Sequence, residues 1–183
     1  YNTPQLKIMG IETAKSSTPM WCRKKLTEGI RTLMTGSEND VWEFINNSRV
    51  EFNSLPIEEI SFPRGISDIK KYHNPASIYN KGTPIHVRGS LLYNTYLHKY
   101  NIDKKYPVIQ NGEKVKFCYM KLPNIMNENV ISFVSALPKE FNLEDYIDYD
   151  LQFSKSFVEP LGVILDKIGW TTEPVSTLES FFG

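Results

Sequence analysis

Apolar residues recur at helical spacing in several stretches of the chain and alternate in shorter stretches between them. In the first, Trp21, Leu26, Ile30, Leu33 and Met34 fall on one helical face. Thr18-Pro19 ahead of them reads as an N-cap plus first helical residue, and Gly36 as the stop. Ser37-Glu38-Asn39-Asp40 supplies a turn and the next cap, and Val41, Trp42, Phe44, Ile45, Val50 and Phe52 predict a second amphipathic helix ended before Pro56. So short a connection packs two helices antiparallel. Ile57 to Phe62 alternates as a short strand closed by Pro63 and Gly65, Ser67 to Tyr72 makes a short helix, and His73 to Lys81 has loop composition. Thr83-Pro84 repeats the cap-plus-proline signature before a third long helix carrying Val87, Leu91, Leu92, Tyr96 and Tyr100. Val108-Ile109 and Lys114 to Leu122 flank Asn111-Gly112, the strongest short hairpin signal, and Val130 to Val134 is a further strand. Leu143 to Ile168 is helical again, with Pro160 kinking or splitting it, and Trp170 to Gly183 reads as a tail. The class predicted is α+β, helices outnumbering strands: one domain with a small sheet inserted among helices.

Composition narrows this little. With 40% apolar and 23% charged residues in 183, the chain can bury a core, which argues against wholesale disorder. No apolar run approaches the roughly 18 residues of a membrane span, and no signal-peptide pattern opens the chain, so no membrane is expected among its partners. Cys22 and Cys118 stand far apart without a partner motif, which fits neither a disulfide scaffold nor a zinc site. The chain starts at Tyr1 without an initiator methionine, as expected after processing or excision from a longer polypeptide.

Charge changes the picture more. The net charge is zero, so the simplest argument for nucleic-acid binding, a basic excess, is missing. The distribution is uneven, however. Residues 1–35 carry six basic groups against two acidic, 36–137 twelve against ten, and 138–183 three against nine. Such a chain can offer a positive face to a polyanion beside an acidic tail, or these are simply solvated faces.

Candidate chemistry is sparse. Asp145 and Asp148, three apart, would share a helix face and could hold a hard cation, but no third ligand is identifiable, and an acidic first turn favoured by the helix dipole explains them equally. His73, His86 and His98 have no carboxylate or histidine at metal spacing. No phosphate loop, nucleotide fingerprint or nucleophile elbow is present, so a self-contained enzyme is not expected. Lys15-Ser16-Ser17-Thr18 joins a cation and hydroxyls to a helix start, which suits a phosphate, although the same hydroxyls serve as caps. Leu178, Phe181 and Phe182 put a compact apolar plug in the final residues; it either tucks onto its own core or anchors in a partner's groove.

Several of these segments together resemble one family. Leu6-Lys7-Ile8-Met9-Gly10-Ile11-Glu12-Thr13, then Lys15-Ser16-Ser17-Thr18-Pro19, is similar to the palm–thumb junction of T-even-type bacteriophage family B DNA polymerases. The resemblance continues, in order, at Pro84-Ile85-His86-Val87-Arg88-Gly89, at Phe153 to Leu161 and at Leu178 to Gly183. It implies residues 1–15 as the end of the palm and its junction, 16–170 as a helix-rich thumb with a small inserted antiparallel β subdomain, and 171–183 as a C-terminal clamp-binding tail.

The family's thumb grips primer–template duplex through phosphates and the minor groove, contacts that position without reading sequence. The resemblance then assigns Lys7 to the minor groove at the primer terminus, where every Watson–Crick pair offers acceptors. Lys81, Arg88, Lys114 and Lys155 match basic residues that approach the backbone, Lys15 lies in the junction motif, and Ser16, Ser17 and Thr18 sit where primer-strand contacts begin. Leu178, Phe181 and Phe182 fit the plug for a ring-shaped sliding clamp. No cofactor is expected in this chain: the two Mg2+ ions and the catalytic aspartates belong to an absent palm, so the chain is inactive alone and pairs with a palm-and-fingers portion on the same or a separate chain. The setting implied is the cytoplasm of the infected bacterial host.

The sequence departs from the family in four places. Val175 stands where clamp-binding peptides often carry glutamine, Met20 replaces a basic residue, Glu159 replaces a lysine before Pro-Leu, and the loop Asn124 to Asn129 lacks a basic residue that relatives carry. Weaker duplex affinity than the relatives' is expected unless Arg23, Lys24 or Lys25 compensates. A rival reading keeps the fold and the clamp plug but no DNA binding; another is a hydrolase using Asp145 and Asp148.

Overall fold

The computed structural model describes residues 16–174. In chain order these form α1 (Met20–Thr35), α2 (Glu38–Phe52), α3 (Ile57–Ile60), β1 (Phe62–Gly65), α4 (Ile69–Tyr72), β2 (His73–Asn74), β3 (Ile78–Tyr79), α5 (Ile85–Lys99), β4 (Lys114–Tyr119), β5 (Val130–Phe133), two 3-10 turns (Lys139–Phe141 and Glu144–Tyr146), α6 (Tyr149–Phe153), a π-helical turn (Ser154–Val158) and α7 (Glu159–Asp166). The α+β class holds: helices are combined with two small antiparallel sheets. The chain divides into two compact units, one from residues up to Ser54 and from Phe153 onward, the other Leu55–Gln152 inserted between those halves.

The first unit is helical. Gly36 and Ser37 separate α1 from α2, and Ser37 begins α2 with a reciprocal cap: its Oγ accepts from Asp40 N–H at 3.2 Å while its own N–H donates to Asp40 Oδ2 at 2.8 Å. At α1 the expected Thr18 cap is not formed. The N-cap is Pro19, with no side-chain hydrogen bond, because the proline's fixed φ already sets the entry and removes one donor that would need a cap. Cys22, Leu26, Ile30 and Leu33 of α1, Val41, Ile45 and Phe52 of α2, and Leu161, Ile164 and Leu165 of α7 are buried. Phe153 links them, 5.1 Å from Phe52 edge-on and 5.1 Å from Phe157 stacked, with Arg49 lying 4.8 Å over its ring. Pro160 leaves its mark as anticipated. It lacks an N–H, and the turn ahead of it widens so that Glu159 N–H reaches Ser154 O.

The second unit is a three-stranded antiparallel sheet, order β1-β4-β5, against which α5 packs. Phe62, Phe117 and Val130 form its buried centre, with Ile85 and Tyr119 packed alongside. Here the sequence expectation for Ile57 to Phe62 is corrected: Ile57–Ile60 is a helical turn and the strand starts at Phe62 and includes Pro63. Pro56 at the N-cap and Glu58-Glu59 in the first turn favour the helical turn, and β1 is an edge strand, where a proline costs no ladder bond. The Asn111-Gly112 turn forms, with Gly112 at φ 86°, yet it does not join a pair of adjacent strands. Asn111 Oδ1 instead accepts from Ile69 N–H at 2.7 Å, and Gly112 N–H donates to Ile66 O at 2.8 Å. A small hairpin, β2 with β3, occupies the stretch expected to be loop.

Candidate nucleic-acid interface

Lys7, Lys15, Leu178, Phe181 and Phe182 lie outside the described residues. The other expected contacts divide between the two units, and each unit is described by itself.

In the first unit, Ser16, Ser17 and Thr18 form the turn that leads into α1, with Ser16 exposed. Lys155 projects from the π-helical turn; its side chain is 44% exposed and its Nζ lies 3.6 Å from Glu159 Oε2. The first turn of α1 is joined to the π-helical turn where Cys22 donates its thiol to Ser156 Oγ at 3.3 Å. The proposed compensators differ sharply. Lys25 is committed, 3.0 Å from Glu51 and 3.7 Å from Glu28, and lies over the Trp21 ring. Arg23 has its Nε buried without a hydrogen-bond partner, whereas Lys24 is exposed and makes no ion pair among the described residues.

In the second unit, Lys81 is exposed just after β3, and Lys114 is exposed at the start of β4, paired in register with Gly65. Arg88 on α5 is part of a network. Its Nη1 lies 3.7 Å from Glu128 Oε1 and donates to Asn129 Oδ1 at 3.0 Å, and its guanidinium sits 5.7 Å over the Tyr79 ring. Tyr79 completes the group by donating its hydroxyl to Glu128 Oε1 at 2.5 Å; burial, then that bond, raises the phenol above its ordinary pKa. Arg88 thereby draws the β2–β3 hairpin, and with it Lys81, towards the start of α5.

Arg64 escaped the sequence reading. It stands on β1 with its guanidinium 5.5 Å over Phe62 and 5.1 Å over Phe117, and donates to Pro63 O at 2.8 Å. Burial lowers its pKa, and burial followed by Arg64's charge lowers that of His86. The signal that marks it, an arginine alternating with Phe62 opposite Phe117, exists only once the register of β1 on β4 is known. A separate cavity of about 820 Å³, lined by Ile69, Lys70, His73, Leu91, His98 and Ile109 among others, contains none of the expected contacts.

The acidic segment does not make a shared helix face. Asp145 falls in a 3-10 turn, and Asp148 precedes α6, where its Oδ1 accepts from Leu151 N–H at 3.0 Å as a cap. Among the described residues no group of three or more His, Cys, Asp or Glu gathers to hold a metal ion.

The DNA-directed DNA polymerase of Enterobacteria phage T4 is 32% identical over a stretch that covers 98% of this chain, and that of Escherichia phage RB69 is 33% identical over 88% of this chain. The chain is similar to these two bacteriophage DNA polymerases over most of its own length. It spans about a fifth of the length of these curated relatives, 20% and 18% respectively. No family model matches it. Glu159 and Glu128 each place a carboxylate beside a cation that the sequence leads one to expect at DNA, Lys155 and Arg88 respectively. Among the described residues no helix is long and apolar enough to cross a membrane.

Proposed function

We propose that the chain is the C-terminal thumb region of a replicative family B DNA polymerase, a nucleotidyltransferase, of a T-even-type phage. Residues 1–15 close the palm, 16–170 make the thumb, and 171–183 form the clamp-binding tail. Its work is to hold primer–template duplex through Lys7 at the minor groove and Lys15, Ser16, Ser17, Thr18, Lys81, Arg88, Lys114 and Lys155 at phosphates. Leu178, Phe181 and Phe182 tether the polymerase to its sliding clamp, so that a released duplex is recaptured at high effective concentration. Polymerisation needs the Mg2+-bearing palm and the fingers, on the same or a separate chain, and takes place in the cytoplasm of the infected host. The observation that supports this reading best is that one polymerase aligns with 98% of the chain.

A second reading, a clamp-binding module without DNA affinity, draws support from the ion pairs that occupy Arg88 and Lys155. Anisotropy of a labelled primer–template separates the two. The thumb reading expects binding that weakens in Lys7→Ala and in Lys114→Ala, whereas the module ignores duplex and binds clamp through the tail.

A further inference from the structure

The loop Asn124 to Asn129 is built to deliver one carboxylate. Asn124 Nδ2 donates to Glu128 O at 2.6 Å, and Asn124 Oδ1 accepts from Met126 N–H at 3.0 Å, so the turn closes on itself and fixes where Glu128 leaves it. Glu128 then meets two groups at once: the Tyr79 hydroxyl at 2.5 Å, a length typical of a charge-assisted O–H···O− bond, and Arg88 Nη1 at 3.7 Å. The two bonds are unequal. The phenol holds the carboxylate tightly, while the arginine lies at ion-pair distance only and donates its shorter bond, 3.0 Å, to Asn129 Oδ1. The Arg88 and Glu128 side chains are 24% and 23% exposed, so an incoming anion can reach the pair.

We propose that Glu128 gates Arg88: it competes with the DNA backbone for the guanidinium, and duplex binding exchanges the carboxylate for a phosphate. This rests on the thumb reading given above. A phosphate offers Arg88 a bidentate, more highly charged partner than the single long contact to Glu128. After exchange Glu128 keeps the Tyr79 hydroxyl and is not left as an unpartnered carboxylate, so opening the gate costs little. Asn129 stays on Nη1 and orients the guanidinium in both states. Glu128 is therefore a positioning residue that sets affinity, and it lies in the loop Asn124 to Asn129, which carries no basic residue.

The test compares four full chains, wild type, Glu128→Gln, Arg88→Ala and the double variant, for binding of a fluorescently labelled primer–template duplex across a salt range. Glutamine keeps the length and the Tyr79 bond but removes the charge. Glu128→Gln should tighten duplex binding by about fivefold, the scale of one partly exposed ion pair, and Arg88→Ala should abolish that gain. The slope of log K against log salt should be nearly the same in wild type and Glu128→Gln, because Arg88 meets a phosphate in both complexes, and shallower by about 0.9 in Arg88→Ala, which loses that phosphate. No change in Glu128→Gln, or an equal gain in the Arg88→Ala background, overturns the gate while salt-sensitive binding by wild type leaves the thumb reading intact. If no chain binds duplex, the thumb reading fails and inorganic phosphate judges the gate through the Arg88 Nε–H NMR signal. That signal moving at lower phosphate in Glu128→Gln than in wild type upholds it, and identical titrations overturn it.

Discussion

Gly89 of α5 and Ser132 of β5 are in contact so close that a Cβ built at Gly89 would fall 2.5 Å from Ser132 Oγ and 2.8 Å from Ser132 N. The backbone of the strand, not merely a movable side chain, fills the space. Ser132 Oγ also donates to His86 O at 2.9 Å, one turn earlier on the same helix, so the serine both spaces and ties the two elements. Gly89→Ala should therefore force α5 off the sheet and destabilise the second unit by about 3 kcal/mol, the upper range for overpacking. Urea unfolding followed by far-UV circular dichroism checks this; a midpoint unchanged from wild type would show that α5 approaches the sheet less closely.

Asn94 is an internal strand partner made from a side chain. Its Nδ2 donates to Ile109 O at 2.9 Å and its Oδ1 accepts from Ile109 N–H at 2.8 Å, so Ile109 has its backbone bonds without lying in a strand. Asn94→Ala removes both and should cost about 2–3 kcal/mol through two unpaired backbone groups. Hydrogen exchange of the Ile109 amide provides the local readout, with protection expected to drop in the variant while the α1 amides keep theirs.

Glu140 carries the clearest acid-sensitive charge. Hydrogen bonds from Lys105 Nζ at 2.9 Å and Tyr106 Oη at 2.8 Å lower its pKa from 4.5 to about 2. A depressed carboxylate favours the folded state above its unfolded pKa and loses that contribution as pH falls through the folded value. Stability should thus decline between about pH 4.5 and about pH 2 more steeply in wild type than in Glu140→Gln. Parallel unfolding midpoints for the two chains across that window would refute the assignment.

Both cysteines should be chemically silent. Burial pushes the Cys22 thiol up to about 11 and the Cys118 thiol up to about 12, against the hydrogen bonds to Ser156 and Ser61 that partly oppose it. At neutral pH neither presents thiolate. A disulfide reagent should label none in the native chain and both in urea, and fast native labelling of either would contradict the buried positions.

Local signals carried part of this architecture. The periods of α1, α2 and α5, the cap at Ser37 and the turn at Gly112 are written in neighbouring residues, and they appear where the sequence places them. What escaped is non-local. Val108-Ile109 looked like one arm of a hairpin, but β4 takes its partners from β1 and β5, and Asn94 supplies the bonds of Ile109. Ile57 to Phe62 alternates as a strand should, yet Pro56 and two glutamates start a helical turn there. Among the expected DNA contacts, Lys81 and Lys114 are exposed, as lysines generally are. Arg88 could not be seen to face Glu128, 40 residues later in the chain, before the fold joined them.

The central claim, a duplex-gripping thumb, is tested most directly by the salt dependence of primer–template affinity in the wild-type chain. If Lys15, Lys81 and Lys114 alone neutralise phosphates, log K against log salt should fall with a slope of about −2.7, and with Arg88 and Lys155 also engaged, of about −4.5. A slope within that range, shallower in Lys114→Ala, is the predicted result. No saturable binding at low salt, or a slope near zero, would contradict it.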